Sequence, residues 1–174
     1  MMGRRGFLLA GTALAAAGGG AILARSPAPA SAAGAKAAPG PFEVVRTEEE
    51  WRRLLTPAQF EILRDHGTER PYTSPLDREK RAGTFRCAGC QRDLFASAAK
   101  FDSGTGWPSF HSPLPGAVGT SEDRSFFMTR TEVHCARCGG HLGHVFEDGP
   151  PPTGLRYCMN GLAMTFAPAE GAAS

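Results

Sequence analysis

Five cysteines are the side chains of this 174-residue chain best suited to chemistry, and four of them form two pairs. The segments Cys87-Ala88-Gly89-Cys90 and Cys135-Ala136-Arg137-Cys138 each place two thiols on one tight turn. Two such turns together supply the four sulfur ligands of a tetrahedral zinc site. The 44 residues between the pairs exceed the usual spacing of a zinc ribbon, so the metal would close a loop containing most of the domain.

The paired cysteines have three other interpretations. An exported protein could oxidise each pair to a disulfide. Each pair could be a thioredoxin-like redox couple, although the βαβ pattern expected around such a couple is absent. The pairs could also belong to a zinc-ribbon-like binding module without catalysis. We predict one structural zinc ion, because four ligands leave no open position on the metal; the ligands are Cys87, Cys90, Cys135 and Cys138.

The fifth cysteine, Cys158, is left over once the metal takes four. A leftover cysteine is a buried hydrophobe, an intermolecular bridge or a reactive thiol. Arg156 and Asn160 stand two residues before and after it, on the same side of a strand. A neighbouring arginine favours the thiolate, and an asparagine offers hydrogen-bond donors and an acceptor. These neighbours favour a nucleophilic role for Cys158.

Two histidines lie upstream in the segment Gly140-His141-Leu142-Gly143-His144. With a thiol, an arginine and an amide, they are typical of a Cys–His nucleophilic site. They could instead bind a metal or cap turns. Spacing alone does not choose among these interpretations.

Two short helices and a set of short strands must position these residues. Thr47 and Glu50 form a capping box for a helix carrying Trp51, Leu54 and Leu55. Thr56-Pro57-Ala58-Gln59 predicts a second helix, ending at Gly67, with Phe60, Ile62 and Leu63 on its buried side.

Short β-rich runs follow, separated by Gly/Pro/Ser stretches such as 109–119 and 148–154. This pattern predicts a mainly β fold, a small antiparallel sandwich or barrel-like domain. The predicted strands are Thr84–Arg86, Asp93–Phe95, Ser125–Val133, His144–Phe146, Leu155–Cys158 and Leu162–Phe166.

The N-terminus predicts export. Arg4-Arg5 precede Phe7 and an Ala/Gly-rich apolar run that ends in small residues, which is typical of a twin-arginine signal peptide over residues 1–33. An uncleaved membrane anchor is the alternative, but the run is only weakly apolar. We expect a periplasmic protein, exported by the twin-arginine translocation machinery and transiently anchored in the membrane before cleavage. A flexible linker at 34–44, a catalytic domain at 45–168 and a disordered tail at 169–174 follow.

The charge balance changes once the signal is removed. The chain has 19 basic and 17 acidic residues, and the signal contains three of the arginines but no acid. The mature protein is then weakly acidic and has no basic run, so we expect no nucleic-acid partner. We also expect a monomer.

Across residues 47–167 the chain resembles the methionine sulfoxide reductase B family, in its zinc-containing branch. The motifs that carry the resemblance are Gly67-Thr68-Glu69-Arg70-Pro71-Tyr72, Phe101-Asp102-Ser103-Gly104, Gly106-Trp107-Pro108-Ser109-Phe110, His141-Leu142-Gly143-His144-Val145-Phe146 and Arg156-Tyr157-Cys158-Met159-Asn160, with both cysteine pairs. The resemblance implies a two-sheet, β-tent-like, zinc-stapled domain with short N-terminal helices. It also implies reduction of the R epimer of methionine sulfoxide in proteins or peptides.

The resemblance assigns a role to each site residue. The Cys158 thiolate would attack the sulfoxide sulfur and become a sulfenic acid. His141, His144 and Asn160 would orient the substrate oxygen and water and assist protonation, and Arg156 would support the thiolate. Trp107 would form the apolar wall for the substrate methyl group, with Phe110 as a second substrate contact.

Two positions depart from the family pattern. Many members have a resolving cysteine at the position of Thr105, so we expect an external thiol, from a thioredoxin-like protein or a small molecule, to reduce the Cys158 sulfenic acid. Gly161 stands where many relatives have serine, which loosens the backbone beside the site. A binding module without activity and a thiol–disulfide exchange protein remain the competing functions.

Overall fold

The computed structural model describes residues 42–125 and 128–171. The predicted signal peptide at 1–33, most of the linker at 34–44 and the last three residues of the tail at 169–174 lie outside these ranges. Within them the chain is mainly β, with two antiparallel sheets and short helices near its start, as predicted. None of the helices among these residues is long and apolar enough to cross a membrane.

Both predicted helices form, and each begins with its capping box. Helix α1 (Glu48–Leu54) is capped by Thr47, and α2 (Pro57–Asp65) is capped by Thr56. Trp51 and Leu55 are buried as expected, but Leu54 is exposed.

The end of α2 differs from the prediction. The left-handed residue that stops the helix is His66 (φ 56°, ψ 33°), not Gly67. Histidine is one of the residues found more often in this conformation. Here its imidazole also contacts an acid, since Nδ1 lies 3.0 Å from the carboxylate of Glu132. That contact offsets part of the conformational cost.

Within residues 42–125 and 128–171, nine strands form the two sheets. The smaller has three strands in the order β2-β1-β9, and the larger has six in the order β3-β4-β8-β7-β6-β5. The strands are β1 (Gly83–Cys87), β2 (Asp93–Ala96), β3 (Lys100–Phe101), β4 (Ser109–Phe110), β5 (Val118–Asp123), β6 (Arg130–Cys135), β7 (His141–Phe146), β8 (Arg156–Met159) and β9 (Met164–Pro168).

The core lies between the two sheets and is dominated by aromatic rings. Phe85 of β1 and Phe95 of β2 both pack on Phe110 of β4, with ring centroids 4.9 and 4.3 Å apart. All three side chains are fully buried. Aromatic pairs at these separations add about 0.5–1.5 kcal/mol each beyond their area burial. The smaller sheet therefore packs against β4, the strand that pairs with the Cys158 strand β8.

The predicted strands are mostly right in position, with errors in the larger sheet. Strands β3 and β4 are not among the predicted strands, and β4 lies in the stretch 109–119 that was predicted to separate strands. The strand predicted at Ser125–Val133 runs from Arg130 to Cys135 instead. Strand β5 was not predicted, because its sequence Val-Gly-Thr-Ser-Glu-Asp has no apolar alternation. An edge strand exposed to water needs none, since β6 supplies its pairing.

Candidate active site and metal cluster

Strand register places five side chains of the larger sheet in one transverse row. Residues directly opposite each other on neighbouring strands point to the same face, with Cβ atoms about 4.5–5.5 Å apart. Cys158 is opposite His144 on one side and opposite Ser109 on the other. The same register continues through β6 to β5, so the row reads Ser109, Cys158, His144, Glu132 and Ser121. Pairing across strands therefore places the thiol of Cys158 and the imidazole of His144 on one face of the sheet.

The Cys158 thiol is partly buried and surrounded by hydroxyl groups. Its Sγ atom lies 3.8 Å from Oγ1 of Thr105, which contacts the hydroxyl of Ser103 at 2.8 Å. Burial raises the pKa of Cys158, and contacts with Thr105, Arg156 and Ser109 offset only part of that rise. Burial therefore favours the neutral thiol of Cys158 over its thiolate.

Arg156 interacts with both the thiol of Cys158 and the carboxylate of Asp148. Its Nε and Nη2 atoms both donate to the Asp148 carboxylate at 2.8 Å, and its guanidinium lies 4.4 Å from the Phe146 ring centroid. Its positive charge lowers the pKa of Cys158, which is the predicted direction, but burial outweighs it.

His144 is held by a carboxylate that sequence reasoning missed. Its Nε2 atom lies 2.8 Å from Oδ2 of Asp123, which also accepts from Arg130 at 2.7 Å. Burial opposes the charge on Asp123, but hydrogen bonds from Ser125, His144 and Arg130 hold its pKa well below the usual range. Burial lowers the pKa of His144, although Asp123 works against that shift. A neutral imidazole facing an ionised acceptor carries its proton on Nε2, which leaves Nδ1 as an acceptor.

His141 is held in the same way by Glu132. Its Nδ1 atom lies 2.8 Å from Oε1 of that carboxylate, and the side chain is 2% exposed. Burial opposes the charge on Glu132, yet contacts with His141, His66 and Ser121 keep its pKa well below the usual range. The Nε2 atom of His141 is buried and has no hydrogen-bond partner among the described residues. With the proton on Nδ1, that nitrogen presents a lone pair.

Glu69, also missed from the sequence, connects two predicted site residues. Its backbone N–H donates to Oδ1 of Asn160 at 3.0 Å, and its carbonyl accepts from Nε1 of Trp107 at 3.1 Å. Its buried carboxylate accepts from the backbone N–H groups of Gly161 and Leu162 at 2.6 and 2.9 Å. Asn160 also donates to a backbone carbonyl, so its oxygen and one N–H group are already engaged.

Phe110 takes a different place from the one predicted. Its side chain is fully buried and stacks on Phe95, on the core side of the sheet. It presents no surface to a substrate in this structure. Its contribution is to support Ser109, its neighbour on β4, which faces Cys158.

The four paired cysteines come together at the ends of strands. Cys87 ends β1 in the smaller sheet, and Cys135 ends β6 in the larger one. The sulfur–sulfur distances are 3.7 Å for Cys87–Cys138 and 3.5 Å for Cys90–Cys135, and all four sulfurs lie within 4.8 Å of one another.

These distances fit a metal better than disulfides. A disulfide requires sulfurs about 2.05 Å apart. Four thiolates about 2.3 Å from one tetrahedral ion would lie about 3.8 Å apart. The cluster therefore fits a four-sulfur metal site that ties the two sheets together, and the free Cys158 lies outside it.

Two of the missed acids, Asp123 and Glu132, meet their histidine partners only through the pairing of strands. Asp123 and Glu132 lie on different strands, and each faces a histidine of β7. The one sequence signal is an acid inside an otherwise β-rich run, such as Glu132 beside buried Val133.

Comparison with known proteins identifies the family. A family model described as the SelR domain matches residues 55–168. The peptide methionine sulfoxide reductase MsrB of Agrobacterium fabrum is 56% identical over 127 residues, covering 72% of this chain and 94% of that protein. The MsrB proteins of Pseudomonas putida and Methanosarcina barkeri are 53% and 52% identical, covering 75% and 73% of this chain and 98% and 90% of their own lengths. With nearly the whole of these relatives matched, the chain belongs to the MsrB family of SelR-domain proteins.

Proposed function

We propose that this protein reduces the R epimer of methionine sulfoxide in peptides and proteins to methionine, with Cys158 as the nucleophile. Family membership supports the reaction class. The observation that carries the assignment of the nucleophile is the row in which Cys158 lies opposite His144. The other four cysteines are gathered in a cluster apart from it.

The proposed first step attacks the sulfoxide sulfur. Cys158 transfers its thiol proton toward the Nδ1 lone pair of His144, and the thiolate bonds to the substrate sulfur. His144 passes the proton to the sulfoxide oxygen, and this oxygen moves from the substrate sulfur to the sulfur of Cys158. The transient bond between the two sulfurs breaks with its electron pair going to the substrate sulfur, which leaves methionine and a Cys158 sulfenic acid. Two electrons move from the cysteine sulfur to the methionine sulfur, and the thiol proton ends on the transferred oxygen.

The other site residues act on binding and charge. Arg156 stabilises the thiolate as it forms. His141 and Asn160 orient the substrate oxygen and a water molecule. Trp107, held by Glu69, supplies the apolar wall for the substrate methyl group.

An external thiol completes the cycle. No second cysteine outside the metal cluster is available in this sequence, since four of its five cysteines belong to that cluster. A thioredoxin-like protein or a small thiol attacks the sulfenic acid, releases water and forms a mixed disulfide, which a second thiol reduces. We propose zinc as the metal held by the cluster, with a purely structural role, because four thiolate ligands leave no site for substrate.

We also propose that the enzyme works in the periplasm. The twin-arginine sequence at Arg4-Arg5 supports this proposal. Export in the folded state would let the cluster take up zinc in the reducing cytoplasm, before the protein meets an oxidising compartment.

One assay tests the proposed reaction. Peptides carrying the pure R or the pure S epimer are incubated with dithiothreitol and either the wild type or Cys158→Ser. We expect the wild type to reduce the R epimer alone and the variant to reduce neither. Equal turnover by both proteins contradicts the assignment of Cys158, and turnover of neither epimer by a zinc-loaded wild type favours the binding-module alternative.

A further inference from the structure

One carboxylate oxygen in the structure is shared by two imidazoles. Oε1 of Glu132 lies 2.8 Å from Nδ1 of His141 and 3.0 Å from Nδ1 of His66. These three ligand atoms all lie within 4.8 Å of one another. The other carboxylate oxygen of Glu132 contacts the hydroxyl of Ser121. The three residues come from α2, β6 and β7, so the tertiary fold brings them together.

We propose that His66, Glu132 and His141 form a second metal site, separate from the cysteine cluster, for a divalent transition ion such as Zn²⁺, and that its occupation inhibits the enzyme. Two imidazoles and one carboxylate are a common ligand set for zinc that retains an open position. Imidazole-rich sites also accept Co²⁺, Ni²⁺ and Cu²⁺.

The geometry needs only a small adjustment to hold an ion. Ligands about 2.1 Å from a tetrahedral metal lie about 3.4 Å apart. Glu132 must therefore separate from each imidazole by about half an ångström. His66 has room to move, since its side chain is 37% exposed, whereas those of Glu132 and His141 are 11% and 2% exposed.

Charge and access favour a cation at this place. Contacts with both imidazoles and Ser121 hold Glu132 in its ionised form, so the three groups together carry a negative charge when the imidazoles are neutral. The exposed ring of His66 gives an ion a path from solvent to the two buried ligands. The structure supplies three ligands, which leaves the fourth position to water.

Occupation of the site would change what His141 offers to the active site. A metal on Nδ1 forces the imidazole proton to Nε2, so the buried nitrogen that presented a lone pair becomes a donor. This part of the proposal rests on the proposed role of His141 in orienting substrate oxygen and water. The binding of the ion itself depends only on the three ligands.

Cobalt titration of the purified, zinc-loaded protein tests the site without any activity measurement. We expect a second equivalent of metal to bind, with cobalt d–d absorption but without the sulfur-to-cobalt charge-transfer band that thiolate ligands give. His66→Ala should raise the dissociation constant by more than about 100-fold, since even outer-shell changes cost roughly 10–100-fold. His111→Ala removes a histidine outside the cluster and serves as the matched control.

The outcomes separate the two proposals. A wild type that binds no second equivalent overturns the metal site, as does a His66→Ala variant that binds it unchanged. A charge-transfer band places the ion on Cys158 or the cysteine cluster and also overturns it. In the sulfoxide assay, added Zn²⁺ should lower kcat of the wild type and of His111→Ala, but not of His66→Ala. Equal inhibition of all three contradicts the inhibitory role, whereas cobalt binding without any turnover contradicts the proposed function alone.

Discussion

Thr105 and Cys158 face each other across the candidate active site, with Oγ1 and Sγ 3.8 Å apart. Thr105 thus presents a hydroxyl, and not a thiol, to the sulfur of Cys158. Ser103 and Ser109 extend this contact into a small network of hydroxyl groups around the sulfur. In the part of the chain that the structure describes, Cys158 therefore has a polar environment but no nearby thiol with which it could form a disulfide.

Replacing Thr105 with cysteine should supply such a partner. The side-chain atoms are close enough that a small rotation brings two sulfurs to the bonding distance of about 2.05 Å. After one turnover without added thiol, mass spectrometry of Thr105→Cys should find a disulfide between residues 105 and 158 and no sulfenic acid trapped by dimedone. The wild type should show the opposite.

Thr105→Ser is the matched control, because it keeps the hydroxyl and adds no thiol. It should give the same trapped sulfenic acid as the wild type. A wild-type disulfide between Cys158 and one of the clustered cysteines would contradict the proposed dependence on an external thiol.

Asp123→Asn should destabilise the protein most at neutral pH. The folded protein holds the pKa of Asp123 below its usual range, so the native state binds fewer protons than the unfolded chain, and the stabilisation disappears as the pH falls below about 4. Removing an ionised acceptor that serves His144 and Arg130 should cost about 1–3 kcal/mol at pH 7. Urea denaturation at pH 7, 5 and 3 should show the gap between wild type and variant shrinking toward acid.

The adjacent acid provides the control for this pH dependence. Glu122 pairs with Arg124 on an exposed surface, where an ion pair contributes little. Glu122→Gln should leave the free energy of unfolding almost unchanged at each pH. A gap for Asp123→Asn that stays constant from pH 7 to pH 3 would mean that the charge of Asp123 does not stabilise the fold.

Loss of the metal held by the cysteine cluster should remove a link between the two sheets and lower the stability of the fold. Cys90→Ser removes one ligand, and we expect no retained zinc and a Tm lower by about 10–20 °C, taking about 5 kcal/mol of lost stabilisation. Zinc quantification and calorimetry measure both effects. Cys158→Ser should retain one zinc and the wild-type Tm, and a Cys90→Ser protein as stable as the wild type would rule out the structural role.

Glu69→Gln should weaken substrate binding more than it slows the chemistry. An amide offers one acceptor oxygen where the carboxylate offers two, so Gly161 or Leu162 loses its acceptor and the segment next to Asn160 shifts. We expect KM to rise about tenfold, consistent with one buried hydrogen bond lost, with kcat within about twofold of the wild type. Glu48→Gln, in an exposed ion pair with Arg52, should change neither constant, and a fall in kcat alone would contradict this assignment.

The sequence predicts those parts of the fold that depend on local chemistry. Both helix starts are found because the residues of a capping box lie three apart, as for Thr47 and Glu50. The cysteine pairs are found because a tight turn brings both thiols to one point. Both features rest on contacts between near neighbours in the chain.

The missed features depend on contacts between distant segments. The partners of the histidines, Asp123 and Glu132, are 21 and 9 residues away and meet them only through strand register. His66, which ends α2 in place of Gly67, likewise has its carboxylate neighbour, Glu132, on the distant strand β6. Phe110 was predicted at the substrate surface, but strand alternation turns it into the core while Ser109 faces the thiol.

The geometry of the candidate active site depends on strand register, because the side chains of the transverse row come from neighbouring strands. Each of its members comes from a different strand, and a slip of one residue between β7 and β8 would place His144 opposite Tyr157 or Met159, on the other face of the sheet from its thiol. A chain with the correct amount of secondary structure but the wrong strand register would therefore be inactive. Turnover should thus report the fraction of molecules with correctly aligned strands, which a spectroscopic measure of β content does not distinguish.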